Sequence, residues 1–89
     1  MAATFNLNIT TPDRTVYDGR VSSLIAPGEL GYLGILANHR PIVARLGPGK
    51  IILKDEKGAS SLYRSLGSGF LEVINNRVNL LLDSVSAPA

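Results

Sequence analysis

The chain has 89 residues, which is enough for one hydrophobic core but too few for two. It has no cysteine, which excludes disulfides, a thiolate nucleophile and a zinc site built on sulfur. Nine lysines and arginines against seven aspartates and glutamates give a net charge of +2. Because the cations are spread singly, without the basic stripe of a nucleic-acid-binding protein, we expect no nucleic acid partner.

The sequence also argues against membrane insertion. The amino terminus lacks the basic region and apolar stretch of a signal peptide. No apolar run approaches the ~20 residues that a membrane-spanning helix requires. We therefore expect a chain that is soluble, or peripheral to a membrane at most.

Short strands, each bounded by glycine, proline or asparagine, are predicted along the whole chain. In chain order they cover residues 5–10, 14–17, 19–26, 32–35, 42–46, 50–54, 60–66, 70–74 and 77–82. Two pairs read as hairpins, one turning at Asn75 and Asn76 and the other between Asp55 and Gly58. Eight to ten strands at this spacing predict an all-β fold, an antiparallel β-sandwich or flattened barrel of about ten short strands. We expect residues 1–84 to form this domain and residues 85–89 to form a tail.

Several predicted strands do not alternate cleanly. Residues 51–53 and 80–82 are continuously apolar, so apolar side chains must leave both faces of the sheet. Two explanations stay open, because strand ends, loops or neighbours could cover these side chains, or they could form a patch for a protein partner.

The glycine-rich stretch from Gly28 to Lys50 invites comparison with nucleotide-binding motifs. A phosphate-binding loop would need a glycine where Ala44 stands and a hydroxyl where Ile51 stands, and a helix should follow it. The spacing of Gly28, Gly31 and Gly34 also differs from the dinucleotide-binding fingerprint. We expect turns in both places, and no nucleotide or other cofactor.

Catalytic and metal-binding constellations are missing from the sequence. His39 is the single histidine, which leaves no basis for a histidine metal site, and no G-x-S-x-G elbow accompanies it. Glu29 and Glu72 are far apart, without a second acid beside either. We expect His39 to bond a backbone group or to lie at an interface, and we expect no enzyme.

The stretch of residues 27–51 resembles the signature of the epsilon subunit of F-type ATP synthases, called delta in mitochondria. That family shows a G-x-x-G-x-x-G-I/V-L-P-x-H-x-P block, followed by a leucine and a Pro-Gly pair. The matching positions here are Gly28, Gly31, Gly34, Ile35, Leu36, His39, Pro41, Leu46, Pro48 and Gly49. Pro12, Tyr17 and Gly19 fit the family's P-x-x-x-x-[FY]-x-G segment, and residues 65–84 resemble its closing region.

The resemblance implies a ten-stranded sandwich at the foot of the rotary central stalk, without catalytic residues, cofactor or metal of its own. It implies a c-ring contact at Glu29, Leu30, Gly31, Tyr32 and Leu33, and a gamma-subunit contact at Thr11, His39, Ile42 and Ala44. In this role the chain would couple proton or sodium passage to ATP synthesis, as a peripheral protein at the cytoplasmic face of the bacterial inner membrane.

Most members of that family continue into a two-helix hairpin, which inhibits ATP hydrolysis and in some species binds ATP. Since the sequence stops at Ala89, the resemblance implies a short form without these helices, and no nucleotide binding. The alternative from another class is a small β-sandwich that binds a ligand or peptide. A hydrolase built on His39 is the weakest hypothesis.

Overall fold

The computed structural model describes residues 3–86, and these residues form an all-β fold. In chain order the strands are β1 (Phe5–Thr11), β2 (Arg14–Gly28), β3 (Gly31–Leu36), β4 (Ile42–Leu46), β5 (Gly49–Asp55), β6 (Ser60–Ser65), β7 (Gly69–Ile74), β8 (Arg77–Leu82) and β9 (Val85–Ser86). The predicted fold class is confirmed, with nine strands in the described part of the chain. Within residues 3–86 no helix is long and apolar enough to cross a membrane.

The strands form one continuous sheet that closes through β2. The order is β1-β8-β7-β4-β2-β5-β6-β9, with β3 as an additional neighbour of β2. The first half of β2 pairs with β1, and its second half pairs with β3 and β5. Its last residue, Gly28, pairs with Leu46 of β4. This shared strand joins the two halves of the sandwich, as in a flattened barrel.

One pair of strands departs from the predicted antiparallel sheet. β1 runs parallel to β8, with Leu7 opposite Val78 and Ile9 opposite Leu80, so the sheet is mixed. The prediction of a wholly antiparallel sandwich was wrong here, because alternation of apolar residues is the same in both orientations. No hairpin links β1 to β8 that would have fixed their relative direction.

β2 is one strand of fifteen residues, where two shorter strands were predicted. The predicted break between residues 17 and 19 is wrong, because Gly19 stays in the β1–β2 ladder opposite Leu7. The ring of Tyr17 covers it, since a Cβ at Gly19 would lie 3.1 Å from the Tyr17 hydroxyl oxygen. The glycine is therefore a packing position within the strand.

The carboxyl-terminal boundary falls partly inside the sheet. Val85 and Ser86, which the sequence analysis placed in a tail, form β9 against Arg64 and Ser65 of β6, and Val85 is buried. The rest of the predicted tail, residues 87–89, lies outside the described residues.

The core is a single cluster of apolar side chains contributed by strands on both sides of the sandwich. Its buried members are Phe5, Leu7, Ile9, Val21, Leu24, Ala26, Ile35, Leu46, Ile51, Leu53, Leu71, Val73, Val78, Leu80, Leu82 and Val85. Most strands contribute every second residue, as expected of a sheet with one buried face. Gly69 permits close packing at its rim, because a Cβ there would overlap the carbonyl oxygen of Leu81.

The β7–β8 turn also ties distant segments together. Asn75 and Asn76 have φ of +49° and +59°, the positive values that a type I′ turn requires, so the predicted turn is confirmed. The Asn76 amide nitrogen donates to the carbonyl of Thr4 at 2.9 Å, and its oxygen accepts from the backbone nitrogen of Asn38 at 2.7 Å. One side chain thus holds the start of the chain and the β3–β4 connection.

Candidate functional site

The residues predicted to contact a c ring form the β2–β3 hairpin. Its turn consists of Glu29 and Leu30, here called the tip, and the side chain of Leu30 is fully exposed. Gly28 and Gly31 pair at the base of the turn. Gly31 has φ of +140°, and a Cβ at Gly28 would overlap the Gly31 carbonyl oxygen. These glycines therefore allow a tight two-residue turn, as the glycine spacing predicted.

Beyond the turn the predicted contact residues belong to β3 and face in different directions. Tyr32 is exposed, whereas Leu33 is partly buried and packs against the core. The structure thus brings Glu29, Leu30 and Tyr32 together at one end of the sandwich and directs Leu33 inward.

The base of this hairpin is anchored on both neighbouring strands. The backbone nitrogen of Glu29 donates to the carbonyl of Arg45 at 2.9 Å. The nitrogen of Gly47 donates to the carbonyl of Pro27, also at 2.9 Å. On β5, which follows β4 along the same edge of β2, the backbone nitrogen of Lys50 donates to the hydroxyl oxygen of Tyr32 at 3.1 Å. Only the tip projects freely from these anchors.

The predicted gamma-contact residues do not form one compact cluster. Thr11 ends β1, and its hydroxyl donates to the carboxylate of Asp13 at 2.8 Å. Ile42 and Ala44 lie on β4, half-buried, and His39 precedes that strand. Since β8 and β7 separate β1 from β4, and Ile42 lies at the far end of its strand, Thr11 is remote from His39.

Between these positions lies an exposed apolar surface, which we call the first apolar face. It is the outer side of β4, β7 and β8, and its members are Val43, Phe70, Ile74 and Leu81. Neighbouring strands place Arg45, Phe70 and Leu81 directly opposite one another. The guanidinium carbon of Arg45 lies 5.6 Å from the centre of the Phe70 ring, within the range of a cation–π contact.

The second apolar face lies on the outer side of β2, β5 and β6. Ile25, Ile52 and Leu62 are exposed and in register across these three strands. Lys50 and Lys54 flank Ile52 along β5 and are exposed. The second face is thus apolar with a basic border, whereas the first also contains the exposed Glu72, which lies between Phe70 and Ile74 on β7 and opposite Val43.

The two apolar runs in the sequence divide between core and surface. Ile51 and Leu53 are buried while Ile52 points outward, and Leu81 points outward between two buried leucines. The prediction that apolar side chains project from both sides of these strands is confirmed. Val43 and Phe70 were not predicted as contact residues, although each has an apolar neighbour in the sequence, which indicates that apolar side chains project from both sides of its strand.

The polar residues weighed as catalytic candidates make local bonds. The Nδ1 of His39 donates to the carbonyl of Arg40 at 2.7 Å, which confirms the expected backbone bond. Glu72 accepts a hydrogen bond from the amide of Asn79 at 3.2 Å. Within residues 3–86 no group of three or more metal-ligating side chains comes together.

Among residues 3–86, Asp13 and Tyr17 have a shifted pKa, and neither lies at the hairpin tip. The hydrogen bond from Thr11 is the main cause that lowers the pKa of Asp13 below its ordinary value. Burial is the main cause that raises the pKa of Tyr17, whose ring stands edge-on to Tyr63 with centroids 6.3 Å apart. Both shifts have structural causes rather than the paired acid and base of a catalytic site.

Comparison with known proteins identifies similar sequences over nearly the whole chain. A family model described as "ATP synthase, Delta/Epsilon chain, beta-sandwich domain" matches residues 4–88. The ATP synthase epsilon chain of Leptospira borgpetersenii serovar Hardjo-bovis (strain JB197) is 42% identical over 78 residues, which cover 88% of this chain and 60% of that protein. The epsilon chain of Dichelobacter nodosus (strain VCS1703A) is 37% identical over 89 residues, or 100% of this chain and 62% of that protein.

Solved structures agree on the fold. A chain of the Euglena gracilis mitochondrial ATP synthase, solved as OSCP/F1/c-ring in rotational state 1, superposes with a TM-score of 0.88 at 24% identity, covering 98% of this chain and 55% of that one. A chain of the Tetrahymena thermophila mitochondrial ATP synthase central stalk/c-ring structure gives 0.76 at 17% identity, covering 97% and 68%. The chain described here spans about three fifths of the length of its curated relatives.

Proposed function

This chain belongs to the ATP synthase delta/epsilon family, and from that membership we propose that it is a non-catalytic subunit of the central stalk of an F-type ATP synthase. In this role it joins the gamma subunit to the c ring and couples rotation to ATP synthesis. The family match over residues 4–88 is the observation that carries the proposal. The catalytic sites belong to other subunits of the complex.

We assign the c-ring contact to the hairpin tip and its neighbours, Glu29 to Leu33. The support is geometric, because Glu29 and Leu30 project while backbone bonds to Arg45 and Pro27 hold the base. A projecting element fixed at its base loses little conformational entropy when it docks. This suits a contact that must carry a load between two moving bodies.

We assign the gamma contact to the first apolar face and its borders. Ile42 and Ala44 lie on β4 at one side of this face, His39 precedes β4, and Thr11 follows the β1 residue that pairs with Leu81. Val43, Phe70 and Leu81 supply exposed apolar area there, whereas Ile42 and Ala44 alternate with Val43 and face the core side of β4. Interfaces of stable complexes have such an apolar centre inside a more polar rim.

Between these two contacts stands a single close-packed core. Core residues from β2, β3, β4, β7 and β8 belong to the same buried cluster, so no division of the core separates the hairpin from the first apolar face. Because close-packed interiors have low compressibility, a displacement imposed at the tip is transmitted to the first apolar face. The chain acts here as a rigid coupling element, peripheral at the cytoplasmic face of the bacterial inner membrane, and proton or sodium passage supplies the torque.

The alternative, a ligand- or peptide-binding module, calls for a deep pocket with convergent polar groups. The groove beside the hairpin has a volume of about 450 Å³, but it is open to solvent and lined by glycines and apolar residues as well as Glu29 and Arg45. These features suit a docking surface better than a small-molecule site.

A binding experiment with the cognate gamma subunit tests the proposal. The chain and gamma, mixed at micromolar concentrations, should elute together from a gel-filtration column as a one-to-one complex. Separate elution of the two proteins, with both shown to be folded by circular dichroism, would sink the proposed function.

A further inference from the structure

Tyr32 occupies an unusual place at the base of the hairpin. It lies on β3 opposite Pro27 of β2, yet its hydroxyl oxygen accepts a hydrogen bond from the backbone nitrogen of Lys50, at the start of β5. β3 and β5 both pair with β2. The side chain therefore links two strands that have β2 as their common neighbour.

This bond lies beyond the end of the hydrogen-bond ladder between β2 and β5. The pairing of β2 with β5 stops at Ile25 and Ile52, so the amide of Lys50 lies beyond the last ladder position. Two residues further along β2, the carbonyl of Pro27 accepts from the backbone nitrogen of Gly47 instead. The Tyr32 hydroxyl supplies the acceptor that the backbone of β2 does not supply to Lys50.

Gly49 provides the space in which this contact forms. A Cβ at Gly49 would lie 2.9 Å from the Tyr32 hydroxyl oxygen and 2.7 Å from the Cβ of Pro27. Its φ of +153° also disfavours other residues. Gly49 thus allows the Tyr32 hydroxyl to come close to the backbone, in addition to adopting the positive φ that begins β5.

We propose that Tyr32 is a positioning residue, which fixes the direction of the tip through its bond to Lys50 rather than only offering its ring to a partner. The two backbone anchors, from Glu29 to Arg45 and from Gly47 to Pro27, hold the hairpin on the side of β4 and its following turn. The Tyr32 hydroxyl adds the anchor on β5. Without this bond, which is the one made by the return strand β3, the tip pivots about the two remaining anchors. This inference rests on the proposed function, in which the tip docks on the c ring.

The first arm of the test measures the bond itself by amide hydrogen exchange in the isolated chain. Tyr32→Phe keeps the ring and removes the hydroxyl. Exchange at Lys50 should become roughly 5- to 10-fold faster, the effect of losing one ordinary hydrogen bond, while exchange at Gly47 stays the same. Tyr63→Phe is the control, since it removes a tyrosine hydroxyl away from the hairpin. Unchanged exchange at Lys50 in Tyr32→Phe would overturn the inference.

A second pair of variants tests the bond between Lys50 and Tyr32 by substitution of Gly49. Gly49→Ala places a methyl group against the Tyr32 hydroxyl, whereas Gly58→Ala adds one at φ of +92° with no heavy atom within 4 Å. Gly49→Ala should accelerate exchange at Lys50, and should do so less when Tyr32 is already Phe, because only the clash with Pro27 then remains. Gly58→Ala should leave exchange at Lys50 unchanged. Equal acceleration of Lys50 exchange by Gly49→Ala in both backgrounds would contradict the positioning role of Tyr32.

The second arm measures function in membranes reconstituted with the complete enzyme. Tyr32→Phe should lower the number of ions pumped per ATP hydrolysed, with unchanged affinity for the gamma subunit. If the parent chain itself restores no coupling, the proposed function fails. If the parent chain couples and Tyr32→Phe couples equally well despite faster exchange at Lys50, the positioning role alone is wrong.

Discussion

Replacement of Phe70 by alanine tests the gamma contact most sharply among single substitutions. Phe70 is 47% exposed at the centre of the first apolar face. A phenylalanine side chain has an area on the order of 200 Å², so about 100 Å² remains for a partner to bury. At about 25 cal/mol per Å², the loss of this area weakens binding by about 2.5 kcal/mol, or roughly 60-fold in Kd.

Isothermal titration of the gamma subunit into each variant measures this change directly. Leu62→Ala is the matched control, because Leu62 is 41% exposed on the second apolar face. We expect Leu62→Ala to bind gamma like the parent chain. A Kd within about twofold of the parent for Phe70→Ala, with a large loss for Leu62→Ala, would refute the assignment and move the contact to the second face.

Three further substitutions test features of the fold. Gly69→Ala should destabilise the chain by about 1–3 kcal/mol in urea unfolding, since its methyl group meets a backbone carbonyl of β8, whereas Gly67→Ala has only ordinary contacts and should change little. Asn76→Gly keeps the turn but loses two hydrogen bonds, and should cost about 1–3 kcal/mol in the same assay. Thr11→Val should raise the pKa of Asp13 toward its ordinary value in an NMR titration. In the parent this lowered pKa stabilises the fold above the unfolded-state pKa, and the contribution is lost as the pH falls through the folded-state pKa.

Local patterns in the sequence were sufficient for most of the strands and turns. The Asn75–Asn76 turn was predictable because asparagine tolerates positive φ, and the structure has both residues there. Phe5, Leu7 and Ile9 alternate with polar residues and are all buried. These features depend on residues that are close in the sequence, so local patterns are enough to predict them.

Long-range relations were not predictable in the same way. The parallel pairing of β1 with β8 depends on which strand edges meet after the whole sandwich has formed. The continuity of β2 through Gly19 depends on a tyrosine ring that covers the glycine. Neither the parallel pairing nor the continuity of β2 produces a periodic pattern in the sequence.

The candidate site shows the same division. The glycine spacing predicted tight turns near Leu30, and the structure has one there. The bond from Lys50 to Tyr32 could not be predicted, because the two residues lie on strands that are not consecutive in the sheet. The separation of Thr11 from His39 likewise follows from strand order, which a list of matching positions does not contain.

The most direct test of the central claim is ion pumping by membranes that contain the enzyme but lack this chain. Added back, the chain should restore pumping driven by ATP hydrolysis, and it should show no ATPase activity when assayed alone. Full coupling in membranes without the chain, or no recovery on adding a folded chain that binds gamma, would contradict its role as the link between gamma and the c ring.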